Sequence, residues 1–286
     1  MASLKDLRRR IRSTRSMQQI FKAMEMVAAA KLRRAQVRAQ AAGPYARKLT
    51  EVLTNIAGAA AELEHPLFKA RPVRTTLLLV VTADRGFAGT YNVNVLRAAE
   101  QRVREAPAGA IKLVVVGRKG RDYFRRRGIT PLATHTDLPG EASIEFARAL
   151  TAELSELFTS GRVDRVEILY TRFVNALVRK VMCEPFLPMG GDTPEAGAML
   201  DRGILFEPDA ESIFAELVPR YATARLYAAT AEALASEHSA RMVAMGSARK
   251  NAGELVDSLT LTRNRLRQAA ITREIAELVG GAEALN

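Results

Sequence analysis

The chain has 286 residues, 48% of them apolar and 26% charged, enough to bury one or two cores. No apolar run approaches the roughly eighteen residues of a membrane span, and one cysteine, Cys183, excludes an internal disulfide framework and fits a reducing compartment. The net charge of +12 is concentrated: between Met1 and Lys48 thirteen Lys and Arg face only Asp6 and Glu25. Such a block calls for an acidic partner, whether nucleic acid, anionic lipid or an acidic protein surface.

In chain order, Leu4, Leu7, Ile11, Thr14, Gln18, Phe21, Ala28, Leu32 and Ala35 recur at spacings of three and four, a thin heptad-like helical seam. The Arg-rich start also resembles a mitochondrial transit peptide, but the helical pattern runs on to about Gly58 and reads as mature structure. Gly43-Pro44 is expected to kink or briefly interrupt that helix. The period then changes. Thr75 to Ala83 is a β-branched and leucine run, apolar on both faces, as in a covered parallel strand. A helix follows over Val93 to Glu105, then a strand over Ile111 to Val116 and a basic helix ending at Arg127-Gly128. Ile144 to Phe158 reads as an amphipathic helix, and Val163 to Phe173 with Leu177 to Phe186 as paired strands around Asn175-Ala176. Cys183, in the second of these strands, is expected to be a buried structural thiol. Alternating strands and helices argue an open α/β sheet.

After a Gly- and Pro-containing loop from Pro188 to Pro208, a long helix begins near Asp209, with a kink expected at Pro219. From Arg220 to Val279 it has no proline, and only Gly246 and Gly253 interrupt a run rich in Ala, Leu, Arg, Glu and Met. As one helix that stretch spans roughly 90 Å, against about 50 Å for a compact globule of this length. It is therefore expected to project and to need a partner helix or a socket. The resulting division is an N-terminal coiled-coil helix over 1–58, a Rossmann-like open α/β domain over 73–207 and a C-terminal coiled-coil helix over 208–286. If both helices leave the middle domain at a similar level, antiparallel partners have numbers summing to about 266, with Met24 beside Met242. Met24, Met26, Met242 and Met245 then read as seam filling.

Candidate chemistry is sparse. Asp84-Arg85-Gly86-Phe87-Ala88-Gly89 lies where a dinucleotide-binding fold has its phosphate loop, yet it is not GxGxxG, and no Walker sequence occurs. A structural or partner-facing turn is the favoured reading. Gly117-Arg118-Lys119-Gly120-Arg121 reads as a solvated helix start, with a phosphate or nucleic-acid patch as the sharper alternative. His65, His135 and His238 are far apart without ligand-like neighbours, and no nucleophile–base set suggests catalysis. Neither a metal nor a cofactor is expected. The residues favour a mechanical or interaction protein over an enzyme.

The run Ile20 to Arg33 (IFKAMEMVAAAKLR) resembles the signature of the gamma subunit of rotary F-type ATP synthases, as do Glu237 to Met245 and Asn264 to Gly281. Ala83-Asp84-Arg85-Gly86 and Gly117 to Phe124 are similar too, in the same order along the whole chain. The resemblance implies a central-stalk rotor without catalytic residues of its own. Its two terminal helices would form an antiparallel coiled coil inside a hexamer of alternating alpha and beta subunits. Its α/β domain would sit as a foot on the c-ring beside the epsilon subunit, peripherally on the cytoplasmic face of a bacterial inner membrane. By position, Met24 and Arg241 match the level where the shaft meets an acidic lever of a beta subunit, and Arg267, Gln268 and Thr272 match an upper beta-subunit contact. Ile275 and Leu278 are the apolar tip residues expected to run in a hydrophobic sleeve. Neither nucleic acid nor a second copy of the chain is an expected partner. Phe21 and Phe87-Ala88-Gly89-Thr90 depart from the family's usual threonine and leucine-cysteine-glycine. The alternative reading is a basic coiled-coil nucleic-acid binder.

Overall fold

The structure, a computed structural model, describes residues 3–59, 65–189 and 209–283. The loop expected from Pro188 to Pro208 and the domain boundary at 207–208 fall largely on 190–208, outside the described residues. The described elements are α1 (Leu4–Ala59), β1 (Thr76–Val81), α2 (Tyr91–Glu105), β2 (Ile111–Val116), α3 (Arg118–Arg125), β3 (Ala133–His135), α4 (Ile144–Thr159), β4 (Arg165–Phe173), β5 (Arg179–Leu187) and α5 (Ala210–Glu283). The chain divides into two compact units, one made of residues up to Ala28 and from Met242 onward, the other of Ala29–Arg241.

The larger unit is built on a five-stranded sheet of order β3-β2-β1-β4-β5. β1 lies at its centre, parallel to both β2 and β4, while β4 and β5 form an antiparallel hairpin. A strand covered on both sides has no polar face to present, which is why Leu77, Leu78, Leu79 and Val80 follow one another and are all fully buried. Leu78 and Val80 pack with Val95, Leu96, Ala99 and Phe124 from α2 and α3. On the opposite face Leu77, Leu79 and Val81 pack with Leu150, Leu154 and Phe158 of α4 and with Phe214, Val218 and Ala222 of α5. The open α/β sheet is the architecture expected of the sequence. Its third strand was not legible, since three residues at a sheet edge carry no period.

α1 is helical across Gly43-Pro44, without the interruption that was one of the two outcomes expected there, and α5 runs on through Pro219. Proline deletes one N–H and crowds one turn. Around Pro219 the buried Val218, Tyr221 and Ala222 hold the turn against the sheet. Asp209 caps α5, its carboxylate accepting from Ser212 N (2.7 Å) and Ser212 Oγ (2.9 Å).

In the smaller unit, α1 and α5 pack antiparallel. Glu25 accepts from Arg249 Nε at 2.8 Å and also lies over Gly246. One heptad away, Gln18 lies over Gly253, its Nε2 only 2.9 Å from where a Cβ would stand. A sum of 266 would pair Glu25 with residue 241 and Gln18 with 248, so the observed contacts fall five residues farther along α5. Part of that offset is the lean of long side chains toward their own N-terminus, which on antiparallel helices points to higher numbers on the partner.

Candidate functional site

In an open α/β sheet, ligands enter at the carboxyl ends of the strands, where the strand order reverses. Here that point lies between β1, which leads toward β2, and β4 on its other side. The crevice is filled by the chain's own helix. Ser236 Oγ of α5 donates to Thr171 O near the end of β4 (2.9 Å), and Ser239 Oγ donates to Ala176 O in the β4–β5 turn (2.6 Å). Ala240 packs with Ala83, Ala88 and Tyr91 just beyond β1.

The turn after β1 is likewise closed by internal bonds. Asp84 accepts from Arg118 N, at the start of α3, and from Leu138 N, both at 2.7 Å. A carboxylate thus occupies the helix N-terminus that a phosphate would otherwise take. Thr82 Oγ1 donates to Val116 O (2.8 Å) and accepts from Gly120 N (3.0 Å). A Cβ at Gly120 would stand 2.5 Å from Val115 Cγ1, so this glycine serves close packing. A cavity of about 30 Å³ lined by Thr82, Tyr91, Ser143, Thr230 and Glu237 among others lies beside this turn, far below the roughly 300–1,000 Å³ of small-molecule sites.

Arg241 is the hub of the closure. Its guanidinium, 11% exposed, donates to Glu237 Oε1 at 2.6 Å and twice to Gly86 O at 3.2 Å. Burial raises the Glu237 carboxyl above its usual range, with Arg241 pulling the other way. His238 is pushed down to about 4, first by burial and then by the Arg241 and Lys31 charges. Burial also raises the Tyr91 hydroxyl strongly. By resemblance the sequence marked Arg241 as a partner contact; it did not mark the internal bonds to Glu237 and the Gly86 carbonyl, or the burial of Tyr91. A Glu–Arg spacing of four on one helix face was the available signal.

The other expected site residues are not gathered into this cluster. Met24 is half-buried on α1. Arg267, Gln268, Thr272, Ile275 and Leu278 follow along α5, where every side chain from Arg267 to Leu278 is exposed, Leu278 at 74%. Val279 lies outside the residues whose side chains are described. Cys183 is on β5 as expected but exposed rather than buried, because the edge strand leaves it uncovered. Although the residue as a whole is exposed, partial burial of the sulfur and then the neighbouring Glu167 carboxylate push the thiol up to about 11. No cluster of potential metal ligands occurs among the described residues.

The sequence model of the ATP synthase family matches residues 3–285. The ATP synthase gamma chain of Moorella thermoacetica is 46% identical over the full length of both chains, and that of Desulforamulus reducens is 47% identical, also over the full length of both. The chain belongs to the ATP synthase gamma-chain family. Among solved structures, a chain of the Euglena gracilis mitochondrial ATP synthase (OSCP/F1/c-ring, rotational state 3) superposes with a TM-score of 0.72 at 23% identity, covering 99% of this chain and 94% of that one. A chain of the Tetrahymena thermophila enzyme's central stalk and c-ring superposes with a TM-score of 0.62 at 23% identity, covering 80% and 99%. No helix among the described residues is long and apolar enough to cross a membrane.

Proposed function

We propose that this chain is the central-stalk rotor of a proton-translocating ATP synthase, carrying torque from a membrane ring to catalytic sites on other subunits while holding none itself. The full-length identity to gamma chains supports the reading. The observation that carries it is the exposed end of α5, where Ile271, Ile275 and Leu278 stand in solvent. Spaced four and three apart, they form one stripe along a helix face, and a contiguous exposed apolar stripe calls for a cover; the alpha and beta subunits supply it as a sleeve. Met24 and Arg241 then sit at the level of a beta-subunit lever, and Arg267, Gln268 and Thr272 meet a beta-subunit loop above it. Epsilon and the c-ring contact the α/β unit, which places the chain peripherally on the cytoplasmic face of a bacterial inner membrane.

Co-expression with alpha and beta subunits tests this. Ile275→Asp with Leu278→Asp is expected to cut recovery of the assembled complex severalfold while leaving the isolated chain folded. Wild-type recovery and coupled ATP hydrolysis in the double variant would remove the sleeve.

A further inference from the structure

A groove of about 760 Å³ opens between α1, α4 and α5 within the larger unit. It belongs neither to the filled crevice nor to the exposed end of α5. Its floor is apolar or small, with Ala41, Ile144, Pro219 and Ala224, and Tyr227 stands at one side. Its charged lining consists of three guanidinium groups, Arg38, Arg148 and Arg220, with no carboxylate. Arg38 is held by Glu141 and Arg220 by Glu216, which fixes their stems at the rim. Arg148 makes no ion pair among the described residues, although it is exposed on the first turns of α4. An apolar trough edged with cations is complementary to one kind of ligand, a helix with an apolar stripe flanked by carboxylates. A compact anion would leave the apolar floor unused.

We propose that this groove docks an acidic amphipathic peptide segment of another polypeptide. The apolar stripe lies on Ile144 and Ala224, and its carboxylates meet Arg148 and Arg220.

The test uses the full-length chain and a labelled synthetic helix of about eighteen residues, long enough to fold on docking, with Leu at helical spacing and Glu elsewhere. Fluorescence anisotropy is expected to show saturable binding that weakens about tenfold in Arg148→Glu with Arg220→Glu. Arg8→Glu with Arg12→Glu, which removes the same charge from the N-terminal arm, is expected to change it less than twofold. A photo-crosslinking residue in place of Ile144 is expected to capture the peptide. Absence of saturable binding, equal loss in both charge-reversed variants, equal binding of a Lys/Leu peptide, or no capture at position 144 each overturns the proposal. Unchanged melting of the variants confirms that folding is not what the anisotropy reports. None of these measurements needs the assembled synthase, so their failure leaves the rotor reading standing.

Discussion

At the scale of single residues, the Arg241 cluster is where burial and charge meet. Removing one partner of a buried ion pair strands the other, which costs about 3–5 kcal/mol. Arg241→Ala is therefore expected to destabilise the chain by about 3 kcal/mol in urea unfolding, leaving Glu237 buried and the Gly86 carbonyl without its donors. Adding Glu237→Gln to Arg241→Ala should recover part of that loss, because the stranded charge is gone, and a double-mutant cycle reads the coupling directly. His238 gives a pH signature of its own. A histidine held at about 4 in the folded state, against an ordinary 6.5, takes up a proton more readily when unfolded. Its contribution is complete above 6.5 and is lost as pH falls toward 4, on the order of 3 kcal/mol in all. Glu237, shifted upward, has the opposite slope. His238→Gln is expected to flatten the fall in stability between pH 6.5 and 4. A slope unchanged in that variant, or an imidazole that titrates near 6.5 by NMR, would show that the ring is not shielded.

At the scale of elements, the seam of the smaller unit is keyed by polar side chains laid over glycines. Gln18 and Glu25 are seven apart on α1, and Gly246 and Gly253 are seven apart on α5, so one heptad repeat matches the other in antiparallel register. Gly246→Leu with Gly253→Leu fills both hollows and is expected to displace these side chains, breaking the Glu25–Arg249 bond and moving the register. Spin labels at exposed positions of the two helices would report the shift, and unchanged distances would mean the glycines set nothing. The elements themselves were legible to different degrees. β1 was legible because a doubly covered strand must be apolar throughout, and α4 because its buried residues keep helical spacing. α5 runs through Pro219 because propensity describes an isolated helix, whereas Val218 and Tyr221 are fixed by the core they pack into. The filling of the strand-end crevice by α5 was not legible. It depends on residues 236–241 meeting residues 83–91 and 171–176, contacts across more than sixty positions that no local period encodes.

At the scale of the whole molecule, charge is the property that packing leaves over. Of the seven cations between Lys5 and Lys22, only Arg9 has an ion pair among the described residues, with Asp6, and all seven are exposed. Like charges set along one helix face repel, so this segment lowers the chain's own stability slightly while raising its attraction to an acidic partner. The two effects separate experimentally. Replacing Arg8, Arg10 and Arg12 by Gln is expected to leave thermal stability of the isolated chain unchanged or slightly higher. The same change should slow association with the alpha and beta subunits about tenfold at low ionic strength, where the field reaches beyond about 10 Å. By roughly 1 M salt, with screening complete within about 3 Å, the variant and the wild type should associate at the same rate. Stopped-flow association across a salt series provides both arms of the comparison. A rate difference that persists at high salt would place these arginines in specific contacts rather than in a steering field. Tight, salt-sensitive binding of duplex DNA, abolished by the same substitutions, would favour the nucleic-acid reading of the arm instead.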